Sequence, residues 1–161
     1  MTRDQFEPVY AFLQERRGRL KPFEVVLPQY ASPRSTVTST ISVDGAITAG
    51  ATNFMVDGVS SGSLRPGDMF TFTDSNNSNH KKVYQVTRVL TNSDYITGNQ
   101  PTDSSHRIYY VTPSIEKSVS NNSTLDYTPT FRVIQASDTV EYSLGTNNLY
   151  QYSLTLEEAQ P

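Results

Sequence analysis

The sequence contains no cysteine and no tryptophan. The first absence removes disulfides, thiolate nucleophiles and cysteine-based metal sites together, so the fold must hold by packing and backbone pairing alone. Charge is sparse as well: 13 Lys+Arg against 16 Asp+Glu give a net charge of −3, spread thinly along 161 residues. Neither sign dominates, which disfavours a general binder of nucleic acid or acidic membrane. The apolar fraction is only 35%, which points to a thin core that partner surfaces complete. No run approaches the roughly 18 apolar residues that a membrane span requires. The opening MTRDQFEP is charged and leads into no apolar stretch, so a secretory signal is not expected. The length suits one domain, or one domain carrying an insertion.

What is present begins with a helix. Phe6, Val9, Tyr10 and Leu13 fall at the i, i+3, i+4, i+7 spacing of one apolar face, and Phe12 broadens the stripe. Thr2 and Gln5 read as a capping box, with Asp4 and Glu7 as the alternative pair, and Pro8 blurs the entry. Arg16 and Arg17 followed by Gly18 form a cation-then-glycine stop. The predicted helix spans about residues 3–17. After Gly18, β-branched and aromatic residues fill short runs divided by Gly, Pro, Asn and Ser, the pattern of strands and turns. The predicted strands are Phe23 to Leu27, Ile41 to Val43, Asn53 to Val56, Met69 to Phe72, Lys82 to Val89, Ile108 to Val111, Phe131 to Ile134, Thr139 to Tyr142 and Tyr150 to Leu156. The third and fourth follow turns at Asp44-Gly45 and Arg65-Pro66-Gly67-Asp68, and Asp57-Gly58 is a further turn. In the last strand Tyr150, Tyr152, Leu154 and Leu156 point one way. One helix with many short antiparallel strands predicts a mainly β (α+β) domain, with the N-terminal amphipathic helix packed on a barrel-like antiparallel sheet. Composition shifts near Ser32-Pro33 and Pro101 to Ser105 divide it: residues 1–36 with 99–161 as the helix and barrel core, and 37–98 as an inserted small β-barrel.

No constellation in the sequence assembles a catalytic centre, and the chain is read as no enzyme and as asking for no metal or cofactor. His80, in an Asn/Ser-rich loop beside Lys81 and Lys82, reads as a solvated turn residue. His106 has Asp103, Ser104 and Ser105 near it but no nucleophile-elbow pattern. Glu157 and Glu158 are adjacent on a strand and face opposite ways. Asp68 and Asp74 flank one strand, yet Thr71, Phe72 and Thr73 between them form no ligand series. Asp68 is expected to support its own turn. The one charge cluster is Arg16, Arg17, Arg19 and Lys21, read first as helix-end and surface residues, then as subunit salt bridges, and last as phosphate contacts. Ten tyrosines, among them those at 109, 110, 142, 150 and 152, exceed what a thin barrel can bury, so some should face a partner. Arg16, Arg17, Arg19, Tyr109, Tyr110 and Tyr150 are accordingly the candidate subunit-interface residues.

The segment FEPVYAFLQERRGRLKPFEVVLPQ resembles the helix-glycine-strand block of bacteriophage tail proteins of the distal-tail and lambda minor-tail-protein-M-like families. SLRPGDMFTF, HKKVYQV, RIYYVTPSIEKSV and TFRVIQASDTVEYSL…LYQYSLTLEEA continue the likeness in order across nearly the whole chain. Members of those families usually carry a strand or hairpin before the helix, whereas this sequence starts at the helix, so the edge is expected to be covered either by residues that precede it or by a strand from a neighbouring subunit. The resemblance implies a virion structural protein assembled in the host cytoplasm as a ring, commonly a hexamer. Such a ring joins the tail tube to baseplate or tail-tip hub proteins, with no specific nucleic acid and no membrane as partner. A ring needs a heterologous interface, with two different patches on each subunit. Two alternatives stay open: a tail-completion or connector protein at the head end, and a carbohydrate- or receptor-binding module whose signal would be lost on Tyr109→Ala or Tyr110→Ala.

Overall fold

The computed structural model describes residues 1–94, 100–101 and 103–159. It is mostly β with one helix, and its chain divides into two compact units, residues 1–25 with 132–159 and residues 26–131.

The terminal unit opens with α1, Arg3–Arg16. The Gln5 side chain accepts from the Thr2 N–H at 3.1 Å, one half of the expected capping box. The helix stops through two left-handed residues, Arg17 (φ 53°) and Gly18 (φ 62°). Glycine is required at the second: a Cβ there would lie 2.0 Å from Asp138 Oδ1 and 2.7 Å from Asp138 Cα. The remaining elements of this unit are β1 (Phe23–Val25), β8 (Phe131–Gln135, of which the first residue falls in the middle unit), β9 (Tyr142–Leu144), β10 (Tyr150–Tyr152) and β11 (Leu156–Glu158). They form a three-stranded sheet in the order β1-β8-β11 and a separate hairpin, β9-β10. The expected single strand from Tyr150 to Leu156 is therefore two strands. Its alternation persists throughout, but β10 pairs with β9 while β11 pairs with β8.

The middle unit is a closed six-stranded antiparallel barrel, β2-β3-β6-β5-β4-β7. Its strands are β2 (Ser42–Val43), β3 (Asn53–Asp57), β4 (Met69–Thr73), β5 (Tyr84–Leu90), β6 (Arg107–Thr112) and β7 (Thr124–Asp126). Alternate side chains fill the interior: Phe54/Val56, Phe70/Phe72, Tyr84/Val86 and Tyr109/Val111, with Val43 and Leu125. Ile41, Ile47, Val59, Leu64, Ile115 and Val119 from the flanking segments join the same core. A bulge between Val86 and Arg88, set against Val111 and Tyr110, shifts the phase of β5 by one residue. Val86 and Val89, three apart, can therefore both pack on the core.

The division differs from the expected one. A barrel confined to 37–98 would lack β6 and β7, which supply Tyr109, Val111 and Leu125; β7 closes the barrel by pairing with both β2 and β4. The expected boundary at 98/99 lies outside the described residues. The shift toward polar composition near Pro101 marks a connection inside the barrel, because loop composition reports exposure and carries no information on which strands pair across it.

Candidate partner-docking surface

The terminal unit builds its core from aromatic residues on α1 and the hairpin. Phe6 is buried at 3% exposure, its ring stacked on Tyr150 at 4.7 Å and close to Tyr142 at 5.0 Å, Tyr10 at 5.6 Å and Tyr152 at 5.7 Å. Further along α1, Leu13 is buried, and its carbonyl accepts from the buried Gln135 Nε2 at 2.9 Å. These contacts consume one face of the helix and one face of the hairpin. The rest of the unit is left apolar toward solvent. Of the seven large hydrophobic residues exposed among those described, Met1, Phe12, Leu20, Tyr142, Leu144 and Leu149 lie here, and only Val26 belongs to the barrel unit. Scattered exposed apolar residues are ordinary, but their concentration on one small unit makes that unit the candidate docking surface. A shallow pocket of ≈ 400 Å³ lies along the hairpin, lined by Glu141, Tyr142, Ser143, Gln151, Tyr152 and Ser153.

The candidate interface residues divide between the two units. Tyr150 sits half-buried in the aromatic cluster. Arg16 lies over the Phe12 ring at 4.6 Å and reaches Glu15 at 3.4 Å. Arg17 spends its backbone on the left-handed helix stop. Arg19 is held by its own unit: its Nε donates to the Ala136 carbonyl at 3.1 Å, its backbone N–H to Asp138 Oδ1 at 3.3 Å, and its guanidinium lies 3.5 Å from Glu157. Tyr110 is half-buried on the barrel with Arg88 at 5.4 Å over its ring. Tyr109 is a correction. It is fully buried in the barrel, its hydroxyl 3.0 Å from Ser63 Oγ, and burial pushes its phenol pKa up. A ring enclosed there can neither face a subunit nor stack on a sugar. Period 2 puts adjacent tyrosines on opposite faces, and only the closure of β6 between β3 and β5 decides which one turns inward.

The two histidines also depart from the sequence reading. His80 is buried, not solvated. Its Nε2 is 2.6 Å from the Tyr84 hydroxyl, which accepts from the Glu116 N–H at 2.9 Å, and its ring packs near Phe72 at 5.6 Å. Desolvation lowers its pKa, with Lys117 acting in the same direction and Glu116 and Asp74 opposing. The loop it anchors is fastened by Asp74, whose two oxygens accept from the Asn76 and Ser120 N–H groups, each at 2.9 Å. Burial raises the Asp74 pKa, and these hydrogen bonds more than reverse it, leaving a net lowering. The polar groove between the two loops, ≈ 510 Å³, holds Thr71, Thr73, Asn76, Lys81, Asn122 and Asp126 among its lining. No group of three or more His, Asp or Glu suited to a metal ion occurs among the described residues.

At His106, Nδ1 lies 2.8 Å from Asp103 Oδ1 and 3.2 Å from Ser105 Oγ, while Ser105 Oγ donates to the same carboxylate oxygen at 2.6 Å. Hydrogen bonds from Ser105 and His106 hold the Asp103 pKa well below the carboxylate range. A nucleophilic relay places serine and carboxylate on opposite imidazole nitrogens. Here both share one, and Nε2 faces Asp44 at 3.6 Å. The cluster therefore ties β6 to the turn after β2. Asp68 behaves as expected, accepting from its own turn at the Arg65 N–H (2.7 Å) and from Arg34. Neither family models nor curated proteins yield a match to this chain.

Proposed function

We propose that this protein is a non-enzymatic structural subunit of a bacteriophage tail, forming a ring at the distal end that joins the tail tube to tip or baseplate proteins. The reading comes from the sequence resemblance to distal-tail and minor-tail-M-like proteins. The observation that supports it is the concentration of exposed apolar residues on the terminal unit, six of the seven found among the described residues. A closed barrel has no free edge and completes its own core. The terminal unit, one helix with a three-stranded sheet and a two-stranded hairpin, leaves apolar side chains exposed and gains from neighbours that cover them. The ring, read as a hexamer, buries this surface between copies and against the tail proteins above and below. The geometry of His106, with Ser105 and Asp103 on one nitrogen, favours a structural part over a hydrolase. The burial of Tyr109 removes one of the two rings on which a sugar-binding module would depend.

The test is the mass of the purified full chain by light scattering, followed by the position of a labelled copy in low-resolution images of particles. An integral multiple of the chain mass, with label at the distal tail, is the expected result. A compact monomer with catalytic turnover reverses the reading, and label at the head end moves the subunit to the connector.

A further inference from the structure

We propose that β9 pairs antiparallel with β9 of a second copy of this chain across a twofold axis at Ser143, joining the two hairpins into a four-stranded sheet β10-β9-β9-β10. In an antiparallel pair, residues alternate between those that exchange hydrogen bonds with the partner strand and those whose N–H and C=O point away. The Gly145 N–H donates to the Leu149 carbonyl at 2.9 Å, so the next bonded pair is Ser143 with Gln151, and the pairs Leu144/Tyr150 and Tyr142/Tyr152 point outward. On the β10 side that outward pair of groups is filled. The Tyr150 N–H donates to the Met1 carbonyl at 2.8 Å and the Met1 ammonium donates to the Tyr150 carbonyl at 3.0 Å. On the β9 side, the outward groups of Tyr142 and Leu144 meet no strand among the described residues.

The chemistry of this edge selects its occupant. Natural edge strands are protected from pairing by charge, proline or a bulge. β1 carries Glu24 behind Pro22, and β11 carries Glu157 and Glu158, but residues 142–156 hold no charged residue and no proline. A strand bearing charge would lose solvation on docking here, whereas β9 of another copy matches it: uncharged and self-complementary. About an axis at Ser143, Tyr142 of each copy opposes Leu144 of the other. The two outward pairs then exchange four backbone hydrogen bonds, and an aromatic-aliphatic pair forms at each end. Tyr142 and Leu144, 51% and 55% exposed, would be covered.

This contact is isologous, unlike the heterologous contacts of a ring, and stands without the ring reading. It is small against a standard interface of about 1,600 Å², so it is weak between free chains and strengthens once chains are held close.

Cysteine cross-linking tests it in the full-length chain, which contains no cysteine of its own. In the proposed sheet, Ser143 meets its twin as a non-bonded pair with Cα atoms about 4.5 Å apart, inside the disulfide range of roughly 4.4–6.8 Å. Ser143 and its hairpin partner Gln151 are both exposed, and Gln151 lies one strand further from the axis. Oxidation with diamide should convert Ser143→Cys to a covalent dimer and leave Gln151→Cys monomeric. Adding Leu144→Lys to Ser143→Cys should reduce the dimer several-fold. Equal cross-linking of the two cysteine variants, or none with Ser143→Cys at the highest soluble concentration, overturns the proposal. A ring mass without the Ser143 cross-link defeats this contact alone; the cross-link without a ring mass defeats the ring alone.

Discussion

The His80 imidazole is held between Phe72 and the Tyr84 hydroxyl with its Nδ1 buried and unpaired among the described residues, an environment that tolerates the neutral ring and penalises the cation. Its pKa in the folded chain is therefore below the ordinary 6.5. As pH falls through 6.5 the unfolded chain takes up a proton that the folded chain refuses, so stability present above that pH is lost as pH drops toward the folded value. The thermal midpoint of the barrel should fall between pH 7 and pH 5, and His80→Gln should flatten that slope, as followed by calorimetry. Backbone conformation gives a second residue-scale test. Gly58 has φ +74°, and a Cβ there would lie 2.3 Å from the Thr40 carbonyl oxygen; Gly50 has φ +88° with open space around it. Gly58→Ala should cost about 1–3 kcal/mol and Gly50→Ala clearly less, both measurable by urea unfolding. His80 was illegible from sequence because a run of Asp, Asn and Ser marks a loop without saying whether one of its side chains folds back over the barrel.

At the scale of elements, the hairpin β9-β10 depends on one ring. Phe6 touches Tyr142, Tyr150 and Tyr152 from α1, and Tyr10 adds a contact with Tyr142. Phe6→Ala should destabilise the terminal unit by about 3–5 kcal/mol. Hydrogen exchange should show lost protection at residues 142–152, while the amides of β3 to β6 keep theirs. The helix itself was legible, since Phe6 and Leu13 repeat at its period and the double stop at Arg17 and Gly18 follows from cation and glycine at its end. The break within Tyr150 to Leu156 was not. The alternation of exposure runs unbroken through Ser153 and Leu154, and a change of pairing partner leaves no mark in a period-2 pattern.

For the whole molecule, the two units differ in how complete they are. The middle unit closes all six strands on one core, so a fragment of residues 26–131 should fold alone, with a single cooperative transition and near-native strand content by circular dichroism. The terminal unit is drawn from both ends of the chain and leaves apolar residues exposed, the condition on which both the ring and the twofold sheet are argued. What the sequence determined by itself was local: the helix and its stop, the turn at Asp68, the positions of most strands and the alternation along them, because each depends on residues within a few places of one another. What only the tertiary structure decided was which strands meet. The closure of β6 and β7 into the barrel, the turning inward of Tyr109 and the burial of His80 each depend on pairing or packing that adjacent residues do not encode. Alternation gives a strand two faces, and the partners brought by the fold choose the one that becomes the interior.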